Sequence, residues 1–205
     1  TFVIAAYFFF AVHSAGAGFV MAALASAVGA VGFGLAINKF VYRPIQRHAV
    51  SFFTGFVASF GVGIVIQNLV GMFFGRGFVT VNTPLSRSVE IIPSVYVSPL
   101  AWIAIVCAAV FLGGLHWFLQ KTHTGMELRA LADNPDLVRV FSLDPARISA
   151  VAFAVGSLIV VPAAIVTGAT TGLNPAIGHH VMLISLAATI VGGIGSISGA
   201  MLAGL

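Results

Sequence analysis

The chain has 205 residues, of which 60% are apolar and only 7% are charged. A soluble domain carries about 25% charged residues, so this composition excludes a soluble domain and predicts an integral membrane protein. Nine Lys and Arg against five Asp and Glu give a net charge of +4, and in a membrane protein such an excess reports loop topology rather than binding to nucleic acid. The single cysteine, Cys107, excludes an internal disulfide. Because the chain begins at Thr1 without Met and stops at Leu205 within an apolar segment, we expect it to be truncated at both ends.

Uncharged stretches predict the membrane spans, since a helix needs about 20 apolar residues to cross the hydrocarbon. In chain order, the predicted spans are the outer part of a helix at 1–12, complete spans at Ser14–Asn38 and Ser51–Gly75, a span at Ile91–Gln120 that starts near Pro93 and Pro99, and two spans within 148–205 separated by the glycine-rich 170–180. The sequence therefore predicts an all-α polytopic bundle with about five to six spans in this piece. Strands are not expected, because an open sheet edge is not tolerated in lipid.

Basic residues indicate the orientation of the bundle. The loop at 38–50 contains Lys39, Arg43 and Arg47, and the loop at 121–147 contains Lys121, Arg129, Arg139 and Arg147. The loop at 73–90 contains only Arg76 and Arg87. Loops rich in Lys and Arg face the cytoplasm, so the loops at 38–50 and 121–147 are predicted to be cytoplasmic.

The segment "NPDLVRVFSLDP" at 134–145 concentrates charge in an otherwise apolar chain. Asn134 suits a helix N-cap, Pro135 suits the first helical position, and Asp136 favours the positive end of the helix dipole. The segment therefore predicts a helix over about 135–142, followed by Asp144 as the cap of the next membrane helix. Such a helix is too short to cross a bilayer. It is either an amphipathic turn on the membrane surface or a docking helix for a cytoplasmic partner, and apolar side chains outside the membrane, Phe141 above all, favour docking.

Several motifs resemble one family in the family's own order. "TGMELRALADNPDLVRVFSLDPARI" at 124–148 and "NKFVYRPIQRHA" at 38–49 are similar to cytoplasmic segments of the inner-membrane permeases of branched-chain amino acid ABC importers. "SFGVGIVIQNLVGMFFG" at 59–75 and "TIVGGIGSISGAMLAGL" at 189–205 are similar to membrane segments of the same permeases. The resemblance covers nearly the whole chain.

The resemblance implies a single transmembrane permease domain over 1–205 in a bacterial inner membrane, with a cytoplasmic loop at 121–147 that contains a coupling helix. It also implies a second permease subunit, cytoplasmic ATP-binding subunits and a periplasmic solute-binding protein. ATP would be bound by the partner, so the chain itself would be neither an enzyme nor a cofactor protein. The family's Glu-Ala-Ala-x-x-x-Gly motif reads here as Asp136-Leu137-Val138 and Ser142: the acid is kept in type, both alanines are larger, and the glycine is a serine. The implied coupling residues are Asp136, Leu137, Val138, Arg139, Val140, Phe141 and Ser142.

Polar side chains within the predicted spans mark a candidate substrate path. Gln67 and Asn68 lie deep in an apolar span, where their amides need partners. Asn174 interrupts the last uncharged stretch, where freed backbone groups could line a cavity. The alternative is that Gln67 and Asn68 hydrogen-bond to neighbouring helices. A path without charges suits a small, partly apolar solute, and urea or amide importers of similar sequence remain an alternative to amino acid importers.

Small residues at helical spacing predict close helix packing. Gly195 and Gly199 form one small-xxx-small pair, and Gly55, Ser59 and Gly63 repeat that spacing. The segment at 192–200 lacks the lysine of a phosphate-binding loop, so no nucleotide site is predicted there. No metal site is predicted either, because the adjacent histidines at 179 and 180 diverge on a helix.

A stand-alone secondary carrier or channel is the alternative from another functional class. Proton-driven carriers generally need an ionisable relay within the bilayer. No Asp or Glu lies within the predicted spans, which favours a permease whose energy comes from another subunit.

Overall fold

The computed structural model describes residues 1–46, 52–75, 77, 89–92, 95–97, 99–133, 141, 144–193, 199–200 and 203–204. Within them, the helices are α1 (Phe2–Ser14), α2 (Phe19–Ile37), α3 (Arg43–Gln46), α4 (Phe52–Phe74), α5 (Pro99–Lys121), α6 (His123–Asp133), α7 (Pro145–Thr170) and α8 (Ile177–Gly192). A π-helical turn, Asn38–Tyr42, joins α2 to α3, and the strands are β1 (Val89–Ile92) and β2 (Val95–Val97). The predicted all-α polytopic fold class is confirmed.

Three helical segments of the described chain are long and apolar enough to cross a membrane, namely Phe19–Ile45, Val57–Phe74 and Pro145–Thr170. A fourth is formed if the bent pair of α5 and α6 is taken as one span. Two shorter apolar helices, α1 and α8, complete the set. All six predicted span positions therefore contain an apolar helix, although only three or four of these helices satisfy the length requirement by themselves.

The expectation that strands are absent is wrong for one connection. β1 and β2 pair antiparallel, with Val89 opposite Val97 and an irregularity between Glu90 and Ile92. The argument against strands applies to sheet edges in lipid, whereas this hairpin lies between α4 and α5 and outside the candidate spans. The predicted span at Ile91–Gln120 consequently starts too early, because its helix begins at Pro99, a residue type favoured at the first helical position.

The buried core lies where α1, α2 and α7 pack together. The Ser26 hydroxyl donates a 2.6 Å hydrogen bond to the Ala5 carbonyl, which ties α2 to α1. A Cβ at Gly34 would collide with the Ser157 hydroxyl and lie 3.3 Å from the Phe153 carbonyl oxygen. Glycine at position 34 therefore allows α2 and α7 to approach closely, as small residues do in membrane bundles.

The chain turns sharply between α5 and α6. The two helices meet at 86°, and Thr122 lies at the corner. Its hydroxyl donates to the Phe118 carbonyl at 2.6 Å and accepts from the Gly125 amide at 3.1 Å. A Cβ at Gly125 would collide with the carbonyl of Phe118, so the corner also needs glycine there. Thr122 and Gly125 therefore define the turn between α5 and α6.

Candidate functional site

The segment that connects α7 to α8 has a defined local structure. Gly172 adopts a φ of 77°, which favours glycine. The Asn174 side-chain oxygen accepts a 2.9 Å hydrogen bond from the Ala176 amide, and Leu173 is almost fully buried. The predicted interruption within 170–180 is therefore a hydrogen-bonded turn with a buried side chain, here called the α7–α8 turn (171–176).

A cavity of about 570 Å³ lies between α4, the α7–α8 turn and α8. It brings together Gln67 and Asn174, two of the three predicted path residues, although they are more than 100 positions apart. Its polar lining side chains, which include no Asp, Glu, Lys or Arg among the described residues, are Gln67, Thr171, Asn174, His179 and His180. We call this space the turn cavity.

A second cavity, of about 580 Å³, opens beside α7 and is also lined by Gln67. Its walls include Ile37 and Tyr42 at the end of α2, Phe153 and Gly156 of α7, and Met182 of α8. We call this space the α2–α7 cavity. Its lining is mainly apolar, and it shares Gln67 and His179 with the turn cavity.

Asn68, the third predicted path residue, lines neither cavity. Its side-chain amide donates a 2.9 Å hydrogen bond to the Ile64 carbonyl, one turn earlier on the same helix. The Asn68 side chain therefore hydrogen-bonds to the backbone of its own helix rather than to a neighbouring helix. Adjacent residues on a helix point about 100° apart, so Gln67 can face the cavities while Asn68 faces outward.

The predicted packing glycines occupy different surroundings. A Cβ at Gly55 would meet nothing within 4 Å, whereas a Cβ at Gly63 would lie 3.7 Å from the Met182 sulfur. Ser59 and Gly63 both line the α2–α7 cavity. Gly199 lies close to Gly192, because a Cβ added at Gly192 would collide with the backbone of Gly199. Gly195, the predicted packing partner of Gly199, lies outside the described residues.

The predicted coupling residues Asp136 to Val140 and Ser142 lie outside the described residues, and Phe141 is exposed. The helix that follows them is described. The Asp144 carboxylate accepts a 2.9 Å hydrogen bond from the Ala146 amide, and Pro145 is the first helical residue. The predicted cap of this membrane helix is confirmed.

Two long-range hydrogen bonds join the start of α7 to the π-helical turn and α3, which follow α2. The Arg43 guanidinium donates to the Ala146 carbonyl at 3.0 Å, and the Ser149 hydroxyl donates to the side-chain oxygen of the buried Asn38 at 3.1 Å. These contacts place parts of the loops at 38–50 and 121–147 at one end of the bundle, as the predicted orientation requires.

Sequence reasoning missed two features. The helix α6 lies within the segment predicted as a cytoplasmic loop, although "MELRALA" is a run of strong helix formers without Gly or Pro that indicates a helix. His179 lines both cavities, and no local pattern in the sequence indicates this position. Among the described residues, no group of three or more His, Cys, Asp or Glu side chains is arranged to hold a metal ion.

A family model described as the branched-chain amino acid transport system / permease component matches residues 1–205. A high-affinity branched-chain amino acid transport system permease protein, BraD of Pseudomonas aeruginosa, is 28% identical over 186 residues, covering 88% of this chain and 60% of the relative. LivH proteins of Salmonella typhimurium and Escherichia coli, which carry the same description, are 26% identical over 189 and 195 residues, with 86% and 87% of this chain and 58% and 60% of each relative covered. The chain thus spans about three fifths of the length of these relatives, and no solved structure matches it.

Proposed function

This chain belongs to the permease-component family of branched-chain amino acid transport systems, and from this we propose that it is a membrane-spanning subunit of an ABC importer. It moves branched-chain or related amino acids across a bacterial inner membrane, driven by ATP hydrolysis in cytoplasmic partner subunits. A second permease subunit completes the membrane part, and a periplasmic binding protein delivers the solute. The observation that carries the proposal is the family match along all of 1–205.

The lining of the two cavities supports a path for a neutral solute. Their amide, hydroxyl and imidazole groups provide hydrogen-bond donors and acceptors. A zwitterionic amino acid with an apolar side chain needs such partners at one end and apolar walls at the other. Gln67 and Asn174 are the path residues that this proposal retains, while Asn68 faces away from both cavities.

The start of α7 supports a route for coupling to ATP hydrolysis. The coupling residues 136–142 are separated from the Asp144 cap by one residue, and the first turns of α7 are hydrogen-bonded to Asn38 and Arg43 in the helical turns that continue α2. A displacement of the coupling segment would thus reach two membrane helices, and both α2 and α7 line the α2–α7 cavity.

Transport in reconstituted vesicles tests the proposal. The full-length permease pair, its ATP-binding subunits and its binding protein are combined, and uptake of radiolabelled L-leucine is followed with and without ATP. We expect uptake that requires ATP and both partner classes. Uptake by this protein alone that collapses with the proton gradient would instead show a secondary carrier. Competition by urea or acetamide, but not by L-valine, would show an amide importer.

The coupling segment is tested by Val138→Pro, with Val138→Ala as the matched control that keeps the helix. Proline in a helix interior costs about 3 kcal/mol, enough to unfold an element of two turns. We expect normal membrane levels, little bound ATPase and no uptake for Val138→Pro, and Phe141→Ala should fall between this variant and the native protein. Normal uptake with the ATPase bound would make the segment a surface turn only.

A further inference from the structure

The turn cavity and the α2–α7 cavity meet at two side chains. Among the described lining residues, only Gln67 of α4 and His179 of α8 belong to both cavities. Side chains that line both spaces lie where the two cavities adjoin. Gln67 and His179 therefore lie at the junction of the two cavities.

The His179 side chain has an aromatic partner on α4. The His179 ring packs edge-on against Phe60, with ring centroids 4.9 Å apart and an interplanar angle of 76°, and its backbone amide donates to the Ala176 carbonyl at 3.1 Å. Gln67 follows Phe60 by seven residues, which returns it to the same face of α4. One face of α4 thus presents first an aromatic support for His179 and then the Gln67 amide.

The chemistry of the pair suits the passage of an amino acid. A neutral imidazole offers one hydrogen-bond donor and one acceptor, and a glutamine amide offers both kinds of group. Together they can accept from an ammonium group and donate to a carboxylate without a fixed charge that would hold the solute too tightly. Purely apolar side chains at this point would leave the solute's charged groups without partners, which is costly away from water.

We propose that His179, together with Gln67, forms a polar partition between the two cavities, and that the solute's charged groups exchange hydrogen bonds with it during passage. The inference rests on the proposed transport function and adds His179 as a specificity-determining residue. If the imidazole served only to pack against Phe60, its ring shape would matter and its nitrogen atoms would not.

Two substitutions separate these roles. His179→Phe keeps a ring against Phe60 and removes both nitrogens, whereas His179→Gln removes the ring and keeps a donor and an acceptor. We expect uptake of L-leucine to fall about tenfold in His179→Phe, the effect of one hydrogen bond lost at the transport barrier, and to be largely retained in His179→Gln. ATPase activity stimulated by the binding protein should persist in both variants, and His116→Phe is the control for an exposed histidine outside the cavities. Native uptake in His179→Phe with a loss in His179→Gln would overturn the proposal.

Thiol labelling tests the partition without relying on transport. Gly156→Cys lies in the α2–α7 cavity, where a Cβ would meet nothing within 4 Å, and Ala176→Cys lies in the turn cavity. In the intact complex without ATP, with Cys107 replaced by Ser, a membrane-impermeant reagent should label the two cysteines from opposite sides. Adding His179→Ala should make both reachable from one side. Labelling of both from one side while His179 is intact would refute the partition, and failure of the native complex to take up L-leucine would count against the proposed function alone.

Discussion

The close approach of α2 to α7 makes Gly34→Ala the most direct test of the packing. The added Cβ would collide with the Ser157 hydroxyl and would lie 3.2 Å from the Ser157 Cβ and 3.3 Å from the Phe153 carbonyl oxygen. The hydroxyl can rotate away, but the other two atoms move only if the helices separate. Overpacking of this kind typically costs about 1–3 kcal/mol.

Gly32 provides a matched control on the same helix, since a Cβ there would meet nothing within 4 Å. Gly→Ala stabilises a helix interior by about 0.5–1 kcal/mol in either case. This gain cancels when the two variants are compared, so Gly34→Ala should be less stable than Gly32→Ala by about 1–3 kcal/mol.

The measurement is unfolding of the purified protein by sodium dodecyl sulfate in mixed micelles, followed by circular dichroism. Ser157→Ala added to Gly34→Ala should recover part of the loss, because it removes the nearest atom and leaves the other two contacts. If Gly34→Ala and Gly32→Ala differ by less than about 0.5 kcal/mol, the range of substitutions without a specific structural effect, α2 and α7 do not depend on this contact and the packing argument fails.

Three further predictions concern other parts of the fold. A double-mutant cycle of Asn38→Leu and Ser149→Ala should give a coupling energy of about 0.6–1.7 kcal/mol, as for other hydrogen bonds in membranes, and a value near zero would mean that the 3.1 Å contact does not contribute. Thr122→Val should lower the free energy of unfolding by about 1–2 kcal/mol and broaden the distribution of distances between spin labels on α5 and α6. Thr122→Ser, which keeps the hydroxyl, should do neither. Equal behaviour of the two variants would exclude the hydroxyl as the cause of the bend. Cysteine at Arg47 should react with an impermeant reagent only from the cytoplasm and cysteine at Ser86 only from outside, and labelling of Ser86→Cys from the cytoplasm would reverse the orientation.

Features that depend on neighbouring residues in the chain were predicted correctly. The apolar helices at the six expected positions follow from the thickness of the hydrocarbon, which acts on each segment separately. The Asp144 cap follows from backbone groups at a helix end that only a nearby side chain can satisfy. The break at 170–180 follows from glycine, proline and asparagine, which favour a turn wherever they occur together.

Only the tertiary structure decided which helices pair and which side chains meet. In water, an apolar stripe directs a helix toward the core, but in lipid all faces of a span can be apolar and the pattern no longer selects a partner. Gln67 and Asn68 therefore looked equivalent in the sequence, whereas the packing of α4 against α8 turns Gln67 toward the cavities and leaves Asn68 bonded to its own helix. His179 gained its position in the same way, since the contact with Phe60 joins helices that no local pattern connects.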